Sequence, residues 1–293
     1  RLIGSADGVG SIAFIRPGRD DSVMLMARDG AWRWQHGHPE PLQDLPARRP
    51  DDRWLSYTEL ANGIELLGSS YGLHSRSSQS SQEWQHDPTL ERAGVYTLMP
   101  DGDGVLIGSD QVHRWTSADS VELLQAGMPV VYSMVRDRAG LAYAATRDGI
   151  WQQRPDGGFE RVAAAPAPTD RAFIVMSALR DRRDHLWFGG YESGLWRYDG
   201  KDWLRLSTAD GLPSDTAYGL VDDESGRIWI SHGRGLYTLN PKEVDALKAA
   251  GQRLDAIEYT RADGLPSERY NGGSSTAAIR QGDGSLWFAS DDG

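Results

Sequence analysis

Histidine is the first residue type to weigh for chemistry, and the chain has seven: His36, His38, His74, His86, His113, His185 and His232. His36-Gly37-His38 offers two imidazoles side by side, but no third ligand stands at metal spacing, so the pair reads as a solvent-exposed turn. Asp101-Gly102-Asp103-Gly104 opens like a calcium loop and lacks the later bidentate Glu, which leaves a hairpin turn. Cysteine is absent, which removes disulfides, thiolate zinc sites and thiol catalysis together. No Ser nucleophile elbow, phosphate loop or dinucleotide fingerprint occurs. The sequence therefore assigns no catalytic residue, no metal and no cofactor. Carboxylates are plentiful, so a pair suited to glycoside hydrolysis stays open as an alternative.

The global numbers narrow the partners. The net charge is −11 over 293 residues. Nucleic acid and anionic membrane both select clustered positive charge, so neither is expected as a partner. No apolar run reaches the roughly 18 residues of a bilayer span. A 39% hydrophobic content supplies a sizeable core for one or two domains. The start at Arg1-Leu2-Ile3 and the end at Gly293 read as a fragment or mature chain with its targeting signals elsewhere.

Any site has to be positioned by the elements around it, and those elements repeat. Ala6-Asp7-Gly8, Ala209-Asp210-Gly211-Leu212-Pro213-Ser214 and Ala262-Asp263-Gly264-Leu265-Pro266-Ser267 share one opening. A wider pattern runs apolar strand, Asp/Gly turn, apolar strand, Gly turn, then a strand with an early aromatic. One copy is Tyr218-Gly219-Leu220, Asp222 to Gly226, Ile228-Trp229-Ile230, then Gly235-Leu236-Tyr237. Others carry Val131 to Met134 with Ala142-Tyr143-Ala144, or Met176 with Leu186-Trp187-Phe188. Weaker copies begin near Ala13, Tyr57 and Tyr96, and a last one holds Ile279 and Leu286-Trp287-Phe288. Anchored on Tyr57, Tyr96, Tyr132, Met176 and Tyr218, the spacing is about 36–44 residues, the period of a four-stranded antiparallel blade.

The pattern predicts an all-β, seven-bladed β-propeller of four-stranded antiparallel blades over residues 1–293. Its blades fall near 11–46, 53–86, 94–124, 130–162, 171–207, 215–260 and 268–293, the last incomplete because its copy stops before a third strand. Arg1-Leu2-Ile3 fits an outer strand. Asp caps the Asp-x-x-Gly turns through its carboxylate, and Gly accepts positive φ there. Trp187, Trp229 and Trp287 sit where a large ring fills space against the next blade. Tyr132 with Met134, and Tyr218 with Leu220, share a strand face and suit packing between blades. One short helical insertion is expected over 241–250: Asn240 as N-cap, Pro241 at N1, Glu243 at N3 and Gly251 as stop. It reads as a loop insertion or as a docking element for a neighbour. Asp223-x-Ser225-Gly226-x-x-Trp229 partly resembles the Asp-box turn of sialidase propellers, a structural turn.

At these residues the chain resembles the two-component regulator propeller repeat, worded roughly D-G-L-P-S, strand, D-x-x-G-x-L-W-x-G-T, then x-x-G-L-x-R. Asp210 to Ser214 with Gly226 to Ser231 and Gly235-Leu236 match it, as do Asp263 to Ser267 with Gly284 to Phe288, and Leu186 to Gly189. The four N-terminal copies keep the Gly and aromatic positions and lose most of the wording. The resemblance implies a periplasmic or extracytoplasmic sensor region of a bacterial receptor. It also implies a downstream β-sandwich and a cytoplasmic histidine kinase or diguanylate cyclase in the full-length protein, with a homodimer as a further expectation.

By analogy with other propellers, a ligand binds where the linkers into each innermost strand meet the turns between second and third strands. That face would carry Arg28, Tyr71, Asp110, Arg147, Tyr191, Glu192, His232, Arg234 and Asp291, with Ser214, Asp215, Arg269 and Tyr270 from the linkers. Mixed Arg, Tyr and carboxylate groups suit a small polar ligand or an oligosaccharide. The expected function is ligand sensing without turnover. A propeller enzyme of polysaccharide lyase or glycosidase type, and a protein-interaction scaffold, are the alternatives.

Overall fold

The computed structural model describes residues 2–18, 21–27, 30–77, 83–117, 120–162, 173–247, 253–272 and 276–292. Short β-branched and aromatic runs bounded by Gly and Asp form strands, and successive strands pair antiparallel with their sequence neighbours. The first blade is β1 Ile12–Pro17, β2 Val23–Ala27, β3 Ala31–Gln35 and β4 His38–Pro41. The second is β5 Trp54–Glu59, β6 Ile64–Ser69, β7 Gly72–Ser77 and β8 Gln85–His86. The third is β9 Thr97–Asp101, β10 Gly104–Gly108, β11 Val112–Ser117 and β12 Ser120–Gln125. The fourth is β13 Val131–Arg136, β14 Ala142–Thr146, β15 Gly149–Gln153 and β16 Phe159–Arg161. The fifth is β17 Ile174–Arg180, β18 Leu186–Tyr191, β19 Leu195–Tyr198 and β20 Trp203–Leu206. The sixth is β21 Leu220–Asp222, β22 Ile228–His232, β23 Gly235–Leu239 and β24 Ile257–Tyr259. A two-stranded sheet follows, β25 Ala278–Arg280 and β26 Leu286–Phe288.

The fold is therefore an all-β propeller of six four-stranded blades, which corrects the expected seven. The copy holding Ile279 and Leu286-Trp287-Phe288 has the wording of a blade. That wording marks the first two strands of a unit, and a blade also needs two outer strands, which this copy lacks among the described residues. The two-stranded sheet still takes part in the ring. Ile15 N–H donates to Thr276 O at 3.0 Å, and Gln281 Nε2 donates to Ser22 O at 2.8 Å. Leu2 and Ile3 lie outside any strand, in contrast to the outer strand expected for them.

Packing explains the radial order. The second strands of the first, third and fourth blades are buried along their whole length, because both faces of each are covered by neighbouring blades. Apolar clusters fill the gaps between consecutive blades. Trp187 and Leu195 of the fifth pack on Ile228, Ile230 and Tyr237 of the sixth. Tyr143 of the fourth packs on Phe188 and Trp196 of the fifth. Fourth strands face solvent, as in β12.

The turns follow from residue type. Asp137 Oδ1 accepts from Leu141 N–H at 2.9 Å and Gly140 takes φ +88°, as the Asp-x-x-Gly spacing predicts. Gly194 has φ +89°, and a Cβ there would lie 2.4 Å from Leu206 O, so only glycine fits. Asp101 to Gly104 is a β-hairpin turn whose Asp101 carboxylate meets Arg136 at 2.6 Å and Arg114 at 3.4 Å. His36 turns with φ +53°, and the exposed His38 meets Glu40 at 3.2 Å.

The helix α1, Pro241–Ala246, starts on Asn240, whose side chain accepts from Lys242 N–H at 3.1 Å. Residues 248–250 of the expected insertion, and its Gly251 stop, lie outside the described residues. The helix folds back on its own propeller. Pro241 and Val244 are buried, and Asp245 pairs with Arg183 at 2.6 Å and with Arg197 of the fifth blade.

Candidate functional site

Antiparallel order sends every linker into a first strand and every turn between second and third strands to one end of the ring. Backbone hydrogen bonds stitch these segments together. Arg147 N–H donates to Val130 O at 2.9 Å, Gly194 N–H to Asp215 O at 2.8 Å, and Asp291 N–H to Arg269 O at 2.9 Å. Glu192 N–H donates to the Thr216 hydroxyl at 3.0 Å and holds Glu192 in left-handed backbone at φ +52°. The predicted turn and linker residues thus share one rim, with Arg28 outside the described residues.

Their side chains divide into two groups. One group is used internally. Tyr71 donates its hydroxyl to Asp51 and carries the Arg49 guanidinium 4.9 Å above its ring. Asp215 accepts from Thr208 N–H at 2.7 Å, and Ser214 Oγ accepts from Thr216 N–H at 3.0 Å. Arg269 pairs with Asp292 at 2.6 Å, and that contact with the Ser267 hydroxyl bond holds the Asp292 carboxyl below the usual range. His232 is 1% exposed, with Nε2 3.3 Å from Glu258 and its ring edge-on to Tyr237 at 5.5 Å. Burial pushes its pKa down, more than Glu258 raises it.

The other group is exposed: Asp110, Arg147, Tyr191, Glu192, Arg234 and Asp291 make no side-chain hydrogen bond or ion pair among the described residues. These come from five different units around the ring. Two cations, three carboxylates and a phenol on one rim can hydrogen-bond a hydroxyl-rich ligand without demanding a net charge on it.

Sequence reasoning missed part of the wall. Tyr96 and Tyr132 stand at the rim ends of the third and fourth innermost strands, 5.8 Å apart and edge-on. Tyr218 enters the sixth, close enough to Tyr191 and Glu192 to feel both. Burial pushes the Tyr132 and Tyr218 phenols up. The available signal is the Tyr that heads four of the copies, at Tyr57, Tyr96, Tyr132 and Tyr218, a position that from sequence alone suits packing between blades. Tyr270 bridges to Ser290 and lies edge-on to Phe288 at 6.2 Å.

Below the rim, the innermost strands enclose a channel cavity of about 210 Å³. Ser133, Met134, Ser177, Leu220 and Arg16 line it, and burial lowers the Arg16 pKa to about 10. No carboxylate is among its described lining residues. No group of three or more His, Asp or Glu among the described residues could hold a metal ion, and no described helix is long and apolar enough to cross a membrane.

No family model matches the sequence, and no curated protein does. Solved structures do match the fold. The extracellular domain of a putative hybrid two-component system from B. thetaiotaomicron superposes with a TM-score of 0.73 at 15% identity, over 97% of this chain and 38% of that one. The extracellular domain of a second such system from B. thetaiotaomicron gives 0.74 at 15% identity, over 97% and 37%. A streptogramin B lyase gives 0.73 at 12% identity, over 97% and 91%. The likeness to two-component systems carried by the repeat wording thus meets structural neighbours of that same description. The chain spans less than two fifths of the length of those extracellular domains.

Proposed function

We propose that this propeller is the ligand-sensing part of an extracytoplasmic bacterial receptor, acting by binding and not by turnover. A small polar ligand or oligosaccharide sits on the rim among Arg147, Tyr191, Glu192 and Arg234, walled by Tyr132 and Tyr218. Binding favours one of two arrangements of the propeller with a downstream β-sandwich or a second copy, and a cytoplasmic kinase or cyclase reads the difference. The supporting observation is the rim itself: charged and phenolic side chains left without internal partners, on a fold matched over 97% of its length by two-component extracellular domains.

The test is a thermal-shift screen of oligosaccharides and small polar metabolites, followed by mass analysis of the recovered ligand. A stabilising compound returned intact supports sensing. Conversion of that compound would favour a second reading, a lyase-like propeller, which the overlap with the streptogramin B lyase keeps in view.

A further inference from the structure

The chain carries 42 acidic and 31 basic side chains, yet three arginines meet at one rim turn, Ser70-Tyr71 between β6 and β7. Each is fixed there separately. Ser70 N–H donates to Arg53 O at 2.9 Å, and Arg92 N–H donates to Tyr71 O at 3.0 Å. The Arg49 guanidinium lies 4.9 Å from the centre of the Tyr71 ring. Arg92 takes left-handed backbone at φ +69°, a conformation that side chains other than glycine seldom adopt. A fourth arginine, Arg48, is turned inward: it lies over the Trp54 ring and donates to Asp52 O at 3.2 Å.

The carboxylates beside this turn are mostly engaged. Asp52 is 8% exposed and accepts from Arg53 N–H at 2.8 Å and Ser70 N–H at 3.0 Å. Asp51 accepts the Tyr71 hydroxyl, which holds its carboxyl below the usual range. Within 48–53, 69–72 and 91–93 the one further carboxylate is Glu91. Arg49, Arg53 and Arg92 are exposed and make no ion pair among the described residues.

Guanidinium groups fork onto planar oxyanions through parallel N–H···O bonds. Stacking on Tyr71 sets the plane of Arg49 before any ligand arrives, so less freedom is lost on binding. First strands contact one another in sequence order, and β25 closes the circuit onto β1. The second blade therefore lies across the ring from the fifth and sixth, where Glu192 stands exposed. A ligand acidic along its whole length would meet that carboxylate as a like charge, so its negative charge belongs at one end.

From this we infer that Arg49, Arg53 and Arg92 bind a sulfate ester or carboxylate carried at one end of an oligosaccharide lying on the rim. The inference rests on the sensing reading for where the sugar lies and adds that the sugar is acidic. Arg49 and Arg92 supply the charge-assisted bonds, with Arg53 beside them at the same turn.

The probe is a glycan array holding uronate-bearing, sulfated and neutral oligosaccharides, with calorimetric titration of the strongest hit. It is applied to the parent and to Arg49→Ala, Arg92→Gly and Arg138→Ala. Arg92→Gly removes the guanidinium while suiting the left-handed backbone, and the 85% exposed Arg138 side chain belongs to the turn between β13 and β14, at the opposite end of the blades. The parent should bind acidic glycans, and the bound class tells sulfate from carboxylate. Arg49→Ala and Arg92→Gly should each weaken that binding by about tenfold with melting temperatures unchanged, while Arg138→Ala should bind as the parent does. No bound glycan, unchanged affinity in Arg49→Ala or Arg92→Gly, or an equal loss in Arg138→Ala overturns the inference. Binding of neutral glycans alone overturns it and leaves the sensing reading standing. An acidic glycan held through Arg49 and Arg92 but returned cleaved supports this site and overturns sensing without turnover.

Discussion

The indole N–H of Trp187 donates to Asp181 Oδ2 at 2.8 Å, and the other oxygen of the same carboxylate accepts from Arg183 and His185 N–H at 2.8 and 2.9 Å. One side chain thus closes the turn between β17 and β18 and satisfies the buried ring that the second strand inserts toward the sixth blade. The pattern recurs as Asp223 with Trp229, at 2.8 Å. Trp287 uses the Ser285 hydroxyl at 3.0 Å in its place.

Asp181→Ala should therefore lower unfolding free energy by about 2 kcal/mol, since a buried indole donor and two amides lose their acceptor. Asp223→Ala should cost roughly half as much, because Trp229 is only half-buried and water can reach it. Urea denaturation of the two variants gives the comparison.

The α1 clamp predicts an asymmetry between neighbouring charges. The Arg197 side chain is 4% exposed and depends on Asp245, whereas Arg183 is 41% exposed. Asp245→Ala should destabilise by about 3 kcal/mol by leaving a buried cation poorly paired. Arg183→Ala should cost less than about 1 kcal/mol. Desolvation raises the Asp245 carboxyl, but hydrogen bonds from Arg183 and Arg197 outweigh it and hold the pKa below the usual range. A depressed carboxyl stabilises the fold above the ordinary value near 4 and loses that contribution as pH falls through the folded value. Asp245→Asn should flatten the acid limb of a stability profile.

A second pH effect comes from His74. Its ring meets Trp54 at 5.9 Å and His86 at 5.0 Å, and burial, with a smaller push from His86, lowers its pKa to about 4. The unfolded chain then binds a proton that the folded chain refuses, so stability is full above about pH 6.5 and declines as pH falls toward 4. His74→Gln should shrink the difference in melting temperature between pH 7.5 and pH 5. An unchanged difference would show that His74 titrates normally.

Much of this fold is legible in the sequence, because Asp/Gly turns and buried strands repeat at one period. The Asp181 and Asp223 turns, the Asn240 cap and the rim turns all follow from residue type and spacing. Blade number does not, since Leu286-Trp287-Phe288 reads like Leu186-Trp187-Phe188 while, among the described residues, only the latter gains outer strands. Side-chain use within the site is equally hidden. Asp215 and His232 look like rim candidates by position. Thr208 occupies the first, and Tyr237 and Glu258 enclose the second, through contacts 5 to 26 residues away in the chain.

Rim variants should separate binding from folding. Arg147→Ala and Glu192→Gln alter exposed side chains without hydrogen-bond or ion-pair partners among the described residues, so their melting temperatures should stay within about 1 °C of the parent. A larger drop in either would mean that the residue holds the ring together.

Calorimetric titration of the most stabilising oligosaccharide into the parent and into Arg147→Ala tests the sensing account most directly. The parent should give saturable heat that the variant loses by at least tenfold in affinity, with the sugar recovered whole. Equal heat in both proteins, or a cleaved sugar, would contradict it.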